Sequence, residues 1–184
     1  MINCGIIGMG KMGKIRMHCI ENCKRTNLIG YYDPHVKLNS GLGISYKNPE
    51  ALIKDKKINA IFICTPNHLN FKLTSFALSA GKHVFCEKPP CFNSNELRQI
   101  ISIEKKYDVS LMYGFNHRHH CSVKKIKQIV DSKSYGKILW MRGRYGKEVD
   151  QLLYSKSWRC DKKLNGGGIL IDQGIHLLDI MDWL

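Results

Sequence analysis

The sequence predicts an α/β fold with a doubly wound, mostly parallel sheet over residues 1–117. Two observations predict this class. Apolar runs of strand length alternate with segments of helical periodicity, and the links between them are short, as in βαβ units. A glycine-rich turn, Gly8-x-Gly10-x-x-Gly13, joins the first apolar run to the first helical segment. We therefore expect one parallel-sheet domain, followed by a segment of different pattern from residue 118.

Each predicted element rests on its apolar pattern and its flanking residues. Strands are predicted at residues 2–8, 28–33, 58–65, 82–87 and 109–115. Helices are predicted at residues 11–22, 48–55, 67–81 and 93–107. The Asn-Pro pair at 48–49 favours a helix start, and Gly81 favours a helix end. Ser94 or Asn95 is expected to precede and cap the last of these helices.

After residue 117 the regular alternation stops. The pattern predicts a basic amphipathic helix at 123–132, a strand at 137–146, and a charged loop to about residue 165. A glycine run then leads into a helix that continues to Leu184. A chain of 184 residues is one domain, or one domain and part of another.

The composition excludes several classes of protein. The hydrophobic fraction of 43% is ordinary for a soluble globular protein. No apolar run approaches the ~20 residues of a membrane-spanning helix. The N-terminus lacks the basic region of a signal peptide. We expect a cytoplasmic protein without a membrane partner.

The eight cysteines form no C-x-x-C pair, and several lie in apolar runs. In an unsecreted chain this predicts buried free thiols that pack as small hydrophobic groups. His-Arg-His-His at 117–120 is the one dense cluster of possible metal ligands, and its spacing matches no tetrahedral zinc site. No metal site is predicted.

The formal net charge of +14 raises nucleic acid as a partner. Residues 121–163 hold twelve Lys and Arg against four Asp and Glu, a net charge of +8, whereas the last 21 residues hold three Asp and no Lys or Arg. The sequence shows no helix-turn-helix or zinc-finger pattern and no interleaved aromatic residues for base stacking. A solvated basic surface is the preferred interpretation, an anionic small-molecule substrate comes second, and nucleic acid comes third.

The glycine turn predicts a dinucleotide site because it follows a strand and opens a helix. Gly8 permits the tight turn, Gly10 lets the backbone approach a pyrophosphate, and Gly13 lets helix and strand pack closely. The free N–H groups and the dipole of the helix N-terminus then favour phosphate.

An acidic residue at the end of the second strand selects between the two nicotinamide dinucleotides. Asp33 lies 20 residues after Gly13, where a carboxylate accepts hydrogen bonds from the adenosine ribose and repels a 2′-phosphate. We therefore expect NAD. His35 and Lys37 lie close enough to leave NADP open.

Together the motifs resemble the glucose–fructose oxidoreductase / inositol dehydrogenase family (Gfo/Idh/MocA). The resemblance rests on Gly8-x-Gly10-x-x-Gly13, Asp33, "TPNH" at 65–68, "GKHVFCEKP" at 81–89, "GFNHR" at 114–118 and "GGGILIDQGIHLLD" at 166–179, in this order. It covers essentially the whole chain and is strongest to members that act in surface-polysaccharide and sugar-nucleotide pathways.

The resemblance implies a Rossmann domain at 1–117 and the opening portion of an α+β, antiparallel-sheet substrate domain at 118–184. Chains of the family are considerably longer, so this sequence is expected to be truncated. Full-length relatives are expected to be homo-oligomers.

By the same resemblance, the cofactor is held at the ends of several strands. The implied cofactor-binding residues are Gly8, Gly10, Lys11, Met12, Gly13, Asp33, Thr65, Pro66, Asn67, His68, Glu87 and Lys88. Pro66 and Asn67 would line the adenosine–phosphate side, and Glu87 would hold the strand end and a ribose. His68 would lie nearer the nicotinamide ribose, or it packs on its own helical turn.

The resemblance also implies the catalytic residues. Lys88 would contact the reacting hydroxyl, His176 would accept its proton, and Asp172 would orient substrate or imidazole. Asp172 and His176 are four residues apart, so on a helix they share one face, which Asp179 continues. The alternative is that this polar stripe is a plain solvent face.

Three further residues are candidates for substrate binding. Trp158 and Arg159 precede the glycine run and would close over substrate or nicotinamide. Arg118 would meet an anionic group or cap a strand.

The leading hypothesis is an NAD(P)-dependent dehydrogenase acting on a secondary hydroxyl of a sugar, sugar nucleotide or cyclitol. A non-catalytic NAD-binding or regulatory protein on the same fold is the alternative, and nucleic-acid binding ranks last. The strand at 137–146 would lack most of its partner strands. We therefore expect the chain to bind NAD through residues 1–117 and to turn over sugars poorly.

Overall fold

The computed structural model describes residues 1–36, 43–146, 148, 155 and 157–184. The chain divides into two compact units, Met1–Gly114 and Phe115–Leu184. Lys37, which was named as a possible NADP contact, and part of the predicted charged loop lie outside the described residues.

The first unit is a parallel α/β sandwich. Its strands are β1 (Ile2–Ile7), β2 (Thr26–Tyr32), β3 (Ile44–Ser45), β4 (Ala60–Ile63), β5 (His83–Cys86) and β6 (Leu111–Tyr113). Its helices are α1 (Lys11–Glu21), α2 (Pro49–Lys54), α3 (Asn70–Ser79) and α4 (Ser94–Tyr107). The six described strands form one sheet in the order β3-β2-β1-β4-β5-β6, and each pair is parallel. The predicted doubly wound sheet is confirmed, and β3 is a short edge strand that the pattern did not predict.

Successive residues of the central strands serve two separate cores. Ile6 packs with Ile20 of α1 on one face of the sheet. Ile7 packs on the other face, in a cluster that includes Leu52 of α2 and Leu78 of α3. Because neighbouring side chains of a strand point to opposite faces, the consecutive apolar residues of β4 and of the end of β1 are what a doubly covered sheet requires.

Local signals explain where the helices begin and end. The side chain of Asn48 accepts a hydrogen bond from Ala51 N at 2.7 Å, which caps α2 as predicted. The cap of α4 is Asn93, which accepts from Glu96 N, so the expectation of Ser94 or Asn95 was wrong by one residue or two. Glu96 in turn accepts from Phe92 N, and this reciprocal pairing fixes the earlier start.

The second unit is helical. It contains α5 (Cys121–Asp131), α6 (Lys162–Asn165), a π-helical turn (Leu170–Gly174) and α7 (Ile175–Trp183). The predicted strand at 137–146 was wrong, because these residues pair with no strand in the described part of the chain. Alternating polarity produces a strand only where a neighbouring backbone supplies the ladder hydrogen bonds.

The glycine run is followed by helical structure from Ile169, as the pattern predicts, and it also ends a short helix that was not predicted. Gly166 (φ +93°) and Gly168 (φ +76°) are both left-handed, a conformation that ends a right-handed helix. Gly166 closes α6, and helical structure resumes only beyond Gly168. The glycine run therefore separates two helices.

None of the eight cysteines forms a disulfide, but they are not uniformly buried. Burial raises the pKa of Cys4 to about 11 and of Cys86 to about 12, so both remain thiols at neutral pH. The prediction of burial was wrong for three exposed cysteines, Cys19, Cys121 and Cys160.

Among the described residues, none of the helices has the length and apolar character that a membrane span requires.

Candidate active site

One group of candidate residues lies along the carboxyl edge of the sheet. The neighbouring strands β2, β1, β4 and β5 end there, and the residue that follows each strand lies at this edge. Backbone hydrogen bonds at the last rung join Gly8 N to Tyr32 O, Cys64 N to Ile7 O, and Glu87 N to Ile63 O, at 2.8 to 2.9 Å. The connections reverse direction between β1 and β4. Ligands of doubly wound sheets bind outside this switch point.

The glycine turn is shaped by two tight contacts and one open position. Gly8 has φ +93°, and a Cβ there would lie 2.5 Å from Cys64 O. A Cβ on Gly13 would lie 2.0 Å from Gly8 O, so the start of α1 and the turn pack backbone to backbone. A Cβ on Gly10 would meet no atom within 4 Å. The turn thus leaves open space at Gly10, in front of the first N–H groups of α1, which have no intrahelical acceptor.

Asp33 connects the end of β2 to this turn. One carboxylate oxygen accepts from Met9 N at 2.7 Å, and the other accepts from His35 N and Val36 N at 2.8 and 2.9 Å. A carboxylate has about four acceptor positions, so capacity remains for a ribose hydroxyl. The open space at Gly10 and the acid beside it fit the adenosine diphosphate part of a dinucleotide.

Asp33 is expected to determine the preference for NAD over NADP. Asp33→Asn replaces one acceptor oxygen with a donor and removes the charge that repels a 2′-phosphate. We expect NADH to bind about 10- to 100-fold more weakly, which is the range for hydrogen bonds to a charged group. The ratio of the dissociation constants for NADPH and NADH should therefore become smaller. Fluorescence titration with NADH and NADPH measures both dissociation constants. Asp108→Asn at the opposite edge of the sheet is the control, and an unchanged preference in Asp33→Asn would contradict the assignment.

The turn after β4 carries four of the predicted residues. Thr65 Oγ1 donates to Asn70 Oδ1 at 3.2 Å. Asn67 is buried, and His68 is exposed on a 3₁₀ turn that runs Asn67–Leu69. The roles of Pro66, Asn67 and His68 toward the cofactor stay predictions.

Glu87 is held by a residue that the sequence did not single out. Its Oε1 accepts from Arg16 Nε and Nη2 at 2.9 and 2.7 Å, and the Arg16 guanidinium lies 4.5 Å from the ring centroid of Phe85. Arg16 lies on α1, so the ion pair joins the helix of the glycine turn to the end of β5. Lys88 follows, half-buried, before a cis peptide bond to Pro89. The contact of Glu87 with a ribose stays a prediction.

A separate group of candidate residues lies within the second unit, around the start of α7. Asp172 and His176 are 1% and 6% exposed, whereas Leu170 and Leu178 nearby are 58% and 54% exposed. The alternative of a plain solvent face was therefore wrong, because the polar side of this helix is the buried side. Buried polar groups persist where partners compensate their desolvation.

Asp172 has basic and amide partners within the second unit. Its Oδ2 lies 3.4 Å from Arg159 Nε and accepts from Gln173 Nε2 at 3.2 Å. Arg159 also lies over the ring of Trp158, 4.4 Å from its centroid. The structure thus brings the predicted Asp172, Trp158 and Arg159 together, and a substrate contact of the last two stays a prediction.

His176 is enclosed by aromatic rings. His117 stacks on it with ring centroids 4.0 Å apart and planes 12° apart, and Phe115 meets it edge-on at 6.4 Å. Tyr145 lies 5.3 Å from His117 and 6.3 Å from His176. His117 belongs to the "GFNHR" motif, yet no spacing in the sequence indicated that it would meet His176, 59 positions later. The cluster fixes the plane of the His176 imidazole.

Arg118 is paired within the second unit. Its Nε and Nη2 donate to the two oxygens of Asp179 at 2.8 and 2.5 Å, and this pairing raises the pKa of Arg118. It lies on the 3₁₀ turn Asn116–His119, so the proposed cap of a strand was wrong. Contact of Arg118 with an anionic substrate stays a prediction.

Two family models match this chain in sequence. One, described as an oxidoreductase family with an NAD-binding Rossmann fold, matches residues 2–115, and the GFO/IDH/MocA C-terminal domain matches residues 123–184. The chain belongs to the Gfo/Idh/MocA oxidoreductase family. Its first unit is therefore an NAD-binding Rossmann domain, which confirms the expected cofactor and the expected fold.

Curated Gfo/Idh/MocA relatives include dehydrogenases of sugars and cyclitols. The chain is 29% identical over 188 residues to D-glucoside 3-dehydrogenase of Escherichia coli, covering 97% of this chain and 52% of that protein. It is 30% identical over 190 residues to myo-inositol 2-dehydrogenase of Thermotoga maritima, covering 98% and 54%. The chain spans about half the length of the curated relatives it matches.

A solved Gfo/Idh/MocA structure has the same fold over nearly all of this chain. Myo-inositol 2-dehydrogenase from Lactobacillus plantarum superposes with a TM-score of 0.84 at 27% identity, covering 99% of this chain and 56% of that one. The helical second unit thus corresponds to part of a longer relative.

Proposed function

We propose that this Gfo/Idh/MocA protein, at the length of its relatives, oxidises a secondary hydroxyl of a sugar, sugar nucleotide or cyclitol, or reduces the corresponding ketone. The observation that carries the proposal is the burial of Asp172 and of His176, whose imidazole is stacked on a second ring, in a chain that also has an NAD-binding domain. Buried titratable groups that a fold holds in fixed orientation are typical of catalytic sites.

The proposed chemistry divides between the two units. NAD, when bound, supplies the hydride acceptor. Lys88 would hold the reacting hydroxyl at the carboxyl edge of the sheet, and His176 would accept its proton as a general base. Asp172, with Arg159 beside it, would orient the substrate or the imidazole.

The proposed substrate class follows from the relatives together with the charge of this chain. A D-glucoside and myo-inositol, the substrates in the names of two relatives, are rings with several secondary hydroxyls. Residues 121–163 carry a net charge of +8, which favours an anionic, nucleotide-linked form of such a ring.

A non-catalytic NAD-binding protein is the second candidate. The observation that favours it is the state of residues 137–146, which form no strand and expose Leu139 (91%) and Trp140 (76%). Such a protein would bind NAD without oxidising any sugar.

Two measurements separate the candidates. NADH binding is titrated first, and NADH formation is then followed by absorbance with myo-inositol, a methyl glucoside and a nucleotide-linked hexose. NADH formation with any of these supports the dehydrogenase. Tight NAD binding without turnover, in a chain of the relatives' length, would support the second candidate. For the 184-residue chain itself we expect NAD binding and poor turnover.

A further inference from the structure

The segment that carries Lys88 contains two prolines, which donate no backbone hydrogen bond. Glu87 N makes the last bond of the β5 edge, to Ile63 O at 2.9 Å. The next residues are Lys88, Pro89 and Pro90. The carbonyl groups of this segment therefore need donors from elsewhere if the position of Lys88 is to be fixed.

Asn70, the first residue of α3, supplies those donors. Its Nδ2 donates to Glu87 O at 3.1 Å and to Pro89 O at 2.8 Å, the carbonyls on either side of Lys88. Its side chain is completely buried. One carboxamide thus holds the backbone of Lys88 on both sides, and neither bond belongs to a helix or a strand.

Thr65 contacts the oxygen end of this carboxamide. Its hydroxyl donates to Asn70 Oδ1 at 3.2 Å. If the amide turned over, its oxygen would face the two carbonyl oxygens and its NH₂ would face the hydroxyl, so both buried bonds would be lost. Thr65 follows β4 and Lys88 follows β5, so Asn70 links the two neighbouring strand ends.

We propose that Asn70 is the positioning residue for Lys88. The inference rests on the proposed function, in which Lys88 lies at the nicotinamide. Asn70 is buried beneath the segment and acts only through the backbone of Lys88. Its loss is expected to release Lys88 while the glycine turn and Asp33, which bind the rest of the dinucleotide, stay in place.

The test measures how NAD protects the Lys88 amine from acetylation, with mass spectrometry of each lysine and no sugar present. In the wild-type chain, NAD is expected to slow Lys88 labelling. Asn70→Leu keeps the side-chain volume and removes both donors. In this variant the acetylation of Lys88 is expected to be about tenfold faster, which is the factor for one hydrogen bond of ordinary strength. NAD is expected no longer to protect Lys88. The dissociation constant for NAD is expected to stay within about threefold, below the tenfold that one such bond gives.

Controls within the same helix make the result specific. Thr74→Val, one turn further along α3 and equally buried, is expected to leave Lys88 labelling unchanged. Lys72 on the exposed side of α3 is the internal standard in every variant. If Asn70→Leu does not fold, Thr65→Val is the second variant, and it is expected to give a smaller increase because it frees the carboxamide without removing it.

The outcomes separate the two proposals. If NAD does not protect Lys88 in the wild-type chain, the proposed function fails at Lys88. If NAD protects Lys88 equally in wild type and Asn70→Leu, the inference about Asn70 is wrong and the function stands. In a chain of the relatives' length, Asn70→Leu is further expected to lower kcat with little change in KM for NAD.

Discussion

Gly10→Val is expected to abolish NAD binding with only a small loss of stability. A Cβ at this position meets no atom within 4 Å, and the backbone φ of −67° is one that any residue adopts. Gly10 is the N-cap of α1, where valine is less favourable than glycine, so the free energy of unfolding should fall by about 0.5–1 kcal/mol. The valine side chain fills the space in front of the helix N-terminus where the pyrophosphate is expected, so NAD should bind at least about 100-fold more weakly.

Gly13→Ala is the informative contrast to Gly10→Val. Its Cβ would lie 2.0 Å from Gly8 O, a backbone atom that cannot move aside without shifting the turn. We expect a loss of about 1–3 kcal/mol of stability, the usual range for overpacking, together with loss of NAD binding. Denaturant unfolding and NADH titration distinguish the two variants.

A third variant controls for the substitution itself. Gly146→Val places the same side chain at another open glycine, in the second unit, and should change neither property. Retention of NAD binding in Gly10→Val would mean that the dinucleotide does not approach this turn.

Lys88→Met is expected to remove turnover while leaving NAD bound. The substitution keeps an unbranched side chain in the half-buried position and removes the amine. If Lys88 holds the reacting hydroxyl or passes on its proton, the rate of NADH formation should fall by about 10²- to 10⁴-fold. The dissociation constant for NAD should change little, because the glycine turn and Asp33 are untouched.

This measurement needs turnover and is therefore made in a chain of the relatives' length. Lys72→Met, on the exposed surface of α3, is the matched control. If the rate of NADH formation stays unchanged in Lys88→Met, Lys88 has no catalytic role and the Glu-Lys-Pro-Pro segment is an ordinary turn.

The sheet was predictable because its signals are local. Apart from the two-residue edge strand β3, each strand of the first unit lies in a mainly apolar run of strand length, and its partners all lie within residues 1–114. The same kind of signal at 137–146 gave a wrong prediction, because alternation describes one strand and says nothing about a partner. The glycine run at 166–168 was predicted to lead into the last helix. The pattern did not show that its left-handed residues also end a short helix before it.

The candidate site was predictable only in part. The spacing of Asp172 and His176 indicated a shared face, but not that this face is the buried one. Arg16, Asn70 and His117 were missed because each acts on a residue far along the chain, at separations of 71 for Arg16 and Glu87 and 17 for Asn70 and Glu87. No periodic pattern in a sequence encodes such pairs.

The ion pair of Arg16 with Glu87 has a consequence for engineering and for divergence. Arg16 belongs to the helix that starts at the glycine turn, and Glu87 directly precedes Lys88, so two motifs 71 residues apart share one contact. If only one of the two motifs were replaced by that of a relative, Arg16 or Glu87 could lose its partner of opposite charge. The remaining charge would then be unpaired in a largely buried position. The two segments therefore form a single module for recombination, and chimeras should exchange them together.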